Sequence, residues 1–300
     1  MRHYWRLSSA VLLAGAVSAT DVGIASASSN VQGAATMPAG LPATLQPYMK
    51  TVLAMRGTTD EPGQVESLGG PEHSAGSSAA LPGQTALISD AKGEYVLSVS
   101  PIPQTSAIVV VSVATTTGLT TWVFKSGSSI PVSGPVSATM GPSQVISPSV
   151  SSVSPSISGT GITSNSVNGS NGKAGPLDEI DKYCTITTAK VDVVTTEEFG
   201  PLLHGFSDVV CDSPAVIGMT GQLQEAGLNL KWNSLGSPGG TLDDYTTGLI
   251  AVLNDYDSCG SSSNWPFRQR TTALVVFEGT DTSESALQRG PGNTLPFNCL

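Results

Sequence analysis

The sequence predicts a mainly β protein: a C-terminal, disulfide-braced antiparallel β-sandwich, a low-complexity linker, and a small N-terminal β-containing region. Three observations carry that prediction. All four cysteines, Cys184, Cys211, Cys259 and Cys299, fall in the last 117 residues. In the same stretch apolar and polar residues alternate with the two-residue period of half-buried strands. Upstream, residues 126–176 hold 16 serines, six prolines and a single charge, Lys173, a composition poorly suited to burying a core.

Residues 1–27 read as a signal peptide. Arg2 and Arg6 form a basic start, Leu7 to Ala19 are apolar or small, and Ala25-Ser26-Ala27 offers a cleavage site. That apolar run is too short to cross about 30 Å of hydrocarbon, so cleavage and release into an oxidising, extracellular space are expected in place of an uncleaved anchor. Residues 28–83 read as a mostly disordered arm with one short helix between Thr44 and Arg56. There Leu45, Met49, Val52 and Leu53 recur at helical spacing, and Pro47 suits a first turn.

Residues 84–125 form a small β region, with strands at Tyr95–Val99, Ala107–Ala114 and Thr120–Phe124 and turns at Pro101-Ile102-Pro103 and Thr117-Gly118. Ile108-Val109-Val110-Val111 is apolar on both faces. It needs cover on both sides, from the C-terminal domain or from the helix near Tyr48. Residues 126–176 are read as a Ser/Pro-rich linker. The alternatives are a stalk for O-linked sugar, or a short β-rich segment built on Val150, Val153, Ile157, Ile162 and Val167.

Residues 177–300 form the β-sandwich domain. Ile217, Met219, Gly221 and Leu223 alternate with polar or small partners, and the alternation resumes at Leu228, Leu230 and Trp232 after Glu225-Ala226-Gly227. That pattern predicts a hairpin with Trp232 in the core. A second hairpin turns at Glu197-Glu198. A two-fold centre there sets Cys184 opposite Cys211, close enough to bond. Cys259 then pairs with Cys299, although four cysteines allow three connectivities. Thr271 to Glu278 is a further strand, with Ala273, Val275 and Phe277 on one face. Leu242 to Asn254 fits either helix or strand, and Gly248 followed by the apolar run Leu249 to Leu253 favours strand.

Cys184, Cys211-Asp212-Ser213-Pro214, Leu223-Gln224, Trp232, and Cys259-Gly260 ahead of the Arg268–Phe277 strand together resemble small secreted, disulfide-containing β-sandwich proteins of actinobacteria. The likeness covers residues 180–300. It implies a fold and no activity, and some cysteines frequent in such proteins are missing here.

The chemistry is sparse. Net charge is −10, and removing residues 1–27 leaves 11 basic and 22 acidic residues, or −11. A nucleic acid partner is thereby disfavoured, and no segment is long and apolar enough to span a membrane. Past the signal only His73 and His204 remain. His204, near Ser207 and Asp208, is the one candidate base for a hydrolase, but no Gly-x-Ser-x-Gly elbow accompanies it. Cysteine spacings of 27, 48 and 40 do not make a zinc site, and no phosphate-binding glycine loop or other cofactor motif is found, so no catalytic residue, metal or cofactor is expected. Trp265 and Phe267, in a Ser-rich loop, are the candidate binding residues. The expected role is extracellular binding of a glycan, cell-wall or protein ligand. The alternative is a glycosidase-like secreted hydrolase using carboxylates such as Glu197-Glu198, Glu225 and Glu278.

Overall fold

The computed structural model describes residues 36–57, 63–72, 83–103, 105–148, 182–227, 231–235, 239–241, 246–259, 266–278 and 283–295. Residues 1–27, read as a signal peptide, the region 149–181 and Trp265 lie outside the described residues. One helix, α1 (Gln46–Arg56), precedes a six-stranded antiparallel meander: β1 (Gln64–Glu72), β2 (Gly83–Asp90), β3 (Gly93–Pro101), β4 (Ile108–Ala114), β5 (Gly118–Lys125) and β6 (Pro131–Thr139). Ten further strands form a second sheet: β7 (Gln144–Ile146), β8 (Cys184–Thr188), β9 (Asp192–Thr196), β10 (Gly200–Ala226), β11 (Trp232–Ser234), β12 (Gly239–Thr241), β13 (Thr246–Ser258), β14 (Pro266–Phe277), β15 (Ser283–Arg289) and β16 (Asn293–Thr294). The protein is mainly β, its sheets are antiparallel, and a disulfide braces its C-terminal part.

The N-terminal sheet is covered on both faces, as the doubly apolar run in β4 requires. Val109, Val111 and Val113 point towards α1, where they join Tyr48, Met49 and Val52 in one core. Ile108 and Val110 point the other way and pack with Val194 of the second sheet. Seven of seven residues in β4 are buried, a pattern that only a sandwiched strand shows. The helix forms where its apolar spacing predicts, with Pro47 in its first turn. Its last residue, Arg56, pins it to the sheet. Arg56 donates from Nε and Nη2 to the Asp90 carboxylate at 2.6 Å each, and its guanidinium lies 4.1 Å from the centre of the Tyr95 ring. The Arg56 hydrogen bond holds the Asp90 carboxyl below its ordinary range.

The second sheet is organised by β10. Its first half pairs with β8 and β9 on one edge, its second half with β14, and β13 follows it on the opposite edge. The register with β13 shifts between Val210 and Ala215, so Cys211-Asp212-Ser213-Pro214 is extra chain on the β10 side. Such a bulge bends a strand. The bend folds the sheet over a core in which Ile186 and Val209 meet Ile217, Val275 and Phe277. Gly205 and Gly221, both buried, leave room for the fully buried Gln269. A Cβ at either glycine would overlap its side chain.

Cys184 and Cys211 face each other in the register and are bonded, with Cα atoms 3.9 Å apart. Cys259 is also in a disulfide, while its expected partner, Cys299, lies outside the described residues. Three expectations need correction. β1 lies inside the stretch read as an arm. β6 and β7 lie inside the stretch read as linker, because pairing with β5 and β8 supplies the order that their serine-rich composition does not. The hairpin after β10 turns later than expected, with Ala226 opposite Trp232. That register leaves Trp232 half-buried, its ring 4.0 Å from the Arg268 guanidinium, and not in the core.

Candidate functional site

The two sheets meet over a core in which Leu87, Val96 and Leu119 of the first touch Phe206, Ile250 and Val252 of the second. Beside that core the sheets diverge around a cleft of about 510 Å³. The N-terminal sheet contributes Leu87, Val96 and Ala114 as an apolar wall, with Glu66, Glu94, Thr115 and Thr116 around it. The second sheet contributes Thr185 and Thr187 from β8, Asp208, Val210 and Asp212 from β10, and Leu249 from β13. Tyr183, 46% exposed, stands at the rim. Among the described residues that line the cleft, four are acidic and none is lysine, arginine or histidine.

Asp208 is the carboxyl set deepest, 6% exposed. Period-two alternation places it on the same face of β10 as Phe206 and Val210, the face turned to the first sheet. Thr187, its register partner on β8, gives it a hydrogen bond. Burial outweighs that bond and the one from its own backbone N–H, and pushes its pKa up to about 7. No ion pair reaches Asp208 among the described residues.

A second buried polar group lies between the sheets but outside this lining. His204 is fully buried. Its Nδ1 is 2.8 Å from Asp192 Oδ1 and its Nε2 is 2.9 Å from Asn254 Oδ1. Asn254 Nδ2 in turn donates to Ser98 Oγ at 2.9 Å, which ties β13 to β3. Tyr256 stacks on the imidazole with ring centroids 5.1 Å apart. Burial alone would lower the histidine pKa. The Asp192 charge, the hydrogen bonds from Asp192 and Asn254, and the Asp255 charge outweigh it, so the pKa rises. Both ring nitrogens face acceptors, which suits an imidazolium paired with Asp192 and leaves no ring nitrogen for a substrate.

The sequence-derived candidates fare unevenly. Phe267 is buried in β14, packed with Leu203, Leu223 and Leu295. It does not stand on a binding surface, because β14 begins one residue before it and turns its ring inward. Trp265 lies outside the described residues. Cys211 lines the cleft, so the Cys184–Cys211 disulfide fixes one wall of it. The carboxylates singled out in the sequence do not line the cleft. Glu197 and Glu198 are exposed on the turn before β10, Glu278 is exposed after β14, and Glu225 lies opposite Phe267. His204 pairs with Asp192, directly across the β9–β10 register, and not with Asp208 four residues along its own strand. Among the described residues no group of three or more His, Cys, Asp or Glu side chains is placed to hold a metal ion, and no helix is long and apolar enough to cross a membrane, which says nothing of a β-barrel. No protein-family model matches the chain, no curated protein matches it, and no solved structure matches its fold.

Proposed function

We propose that the chain is an exported, extracellular, non-catalytic binding module that holds its ligand in the cleft between the two sheets. One observation carries this reading. The cleft, of about 510 Å³, has an apolar wall and a polar rim of hydroxyls and carboxylates, the composition of a small-ligand site. The locked state of His204 supports the same reading, since the imidazole a hydrolase would need is already bonded through both nitrogens. The Cys184–Cys211 bond suits an oxidising compartment.

A second reading is favoured by Asp208. A carboxyl with a pKa of about 7 is protonated often enough to serve as a general acid, and Glu94, Glu66 or Asp212 would be its partner in glycoside hydrolysis. A glycan and cell-wall pull-down with the mature chain tests the first reading. Retention that is lost when Thr185→Trp fills the cleft is the expected result. Retention unchanged by that substitution overturns the placement of the site. Release of reducing sugar that Asp208→Asn abolishes replaces the binding reading by the hydrolytic one.

A further inference from the structure

The binding role proposed above leaves open what the cleft takes, and its electrostatics narrow the choice. Glu66 of β1, Glu94 of β3, and Asp208 and Asp212 of β10 reach the cleft from both sheets, and among the described residues no basic side chain lines it. Asp208 is more than nine-tenths buried, opens on the cavity, and is met by its own backbone N–H and the Thr187 hydroxyl but by no counter-charge among the described residues. An anionic ligand would meet four like charges. A neutral ligand would leave the buried carboxyl neutralised only by its own proton. A metal ion needs converging ligands, and among the described residues these carboxylates do not converge. Thr115, Thr116, Ser143, Thr185 and Thr187 add hydroxyls between the acids, suited to a body that carries its own hydroxyls. Tyr183 at the rim offers an aromatic face, which also favours a cation.

We infer that the ligand is an organic ammonium compound on a hydroxylated body, the free-amine form of an amino sugar, and that Asp208 is the buried anion that receives an ammonium group. No covalent step is involved. On binding, the ammonium takes the place of the carboxyl proton as the partner of Asp208. That proton is released to solvent, because an adjacent cation lowers a carboxyl pKa that burial had raised.

The test is calorimetric titration of the mature chain with a glucosamine trimer and, separately, with its fully N-acetylated counterpart, which keeps the body and removes the charge. The free-amine trimer is expected to bind, more weakly as salt rises, and the acetylated one about thirty-fold or more weakly. Near pH 7 the heat should depend on the buffer, showing proton release, and Asp208→Asn should remove both that dependence and the preference for the amine. Equal or tighter binding of the acetylated trimer overturns the ligand class while leaving the binding role standing. Failure of both trimers also overturns it, and the pull-down with Thr185→Trp then decides separately whether the cleft binds anything. Amine binding that persists undiminished in Asp208→Asn, with that variant folded by circular dichroism, overturns the role of Asp208.

Discussion

The N-terminal sheet and the C-terminal sheet are both antiparallel, yet they are assembled by opposite logic. In the first, every strand from β1 to β6 pairs with its neighbours in the chain, so connections are short and local. In the second, β10 alone pairs with β8, β9, β11, β12, β13 and β14, and its bend decides which partner follows which. The first sheet is buried on both faces at β4, and its register shifts fall in the outer pairings β1–β2 and β5–β6. The second carries its irregularity on its central strand, with the bulge, Cys211 and Asp208 all within a few residues of each other on β10. The irregular stretch of β10 lines the cleft, and the regular pairing around Phe206, Ile250 and Val252 packs flush on the first sheet.

The largest expected effect tests whether two such different sheets unfold as one. Phe124→Ala on the helix side and Phe277→Ala inside the bent sheet remove fully buried rings, and each should cost about 3–5 kcal/mol. Calorimetry should show one transition, displaced downwards in both variants. Two transitions, with only one moved by each substitution, would mean that the sheets are independent units.

Proton linkage at Asp208 comes next. Its folded pKa of about 7 lies above the ordinary 3.8, so the folded state holds this proton more tightly than the unfolded chain. The associated stability is fully present below about pH 4 and is lost as pH rises through about 7, a swing of about 4 kcal/mol. His204, also raised, works in the same direction. Denaturation of wild type and Asp208→Asn across that range should show wild type losing ground to the variant with rising pH. A constant difference would refute it.

Removing the disulfide by Cys184→Ser with Cys211→Ser opens a loop of 27 residues and should cost about 3.5 kcal/mol in the chain-entropy account. The loss should be read by equilibrium unfolding under non-reducing conditions. Asn254→Ala strips the bond to Ser98 and the acceptor for His204, and should cost about 1–3 kcal/mol. A matching cost for Asn254→Asp would show that the amide matters as a donor to Ser98. The smallest effect expected is at Trp232. Half-buried and stacked with Arg268, it should lose about 1–2 kcal/mol on truncation to Phe, and a loss above that would restore it to the core.

Much of the fold was legible because it is local. The apolar repeat in α1, the both-faced apolar run in β4 and the alternation along β14 each express burial directly in residue order. The Cys184–Cys211 bond was legible too, although the hairpin centres on Glu198, with Thr196 opposite Gly200, and a one-residue shift between β9 and β8 is what sets the cysteines face to face. The site was less legible. Asp192 and Asp208 are charges inside strands otherwise rich in valine, Asp192-Val193-Val194 and Asp208-Val209-Val210, and a charge at a position that alternation marks as buried is a signal that could have found them.

By itself the sequence determined the β class, the helix, the braced pair of cysteines and the acidic balance, because each rests on nearest-neighbour periodicity or composition. Only the tertiary structure decided that serine-rich β6 and β7 are strands, that Phe267 is core, that His204 belongs to Asp192, and that four carboxylates share one cleft. Those outcomes depend on which strands pair and which faces pack together across both sheets. Pairing energies between remote segments are set by the whole sheet and are not written in any one window of sequence.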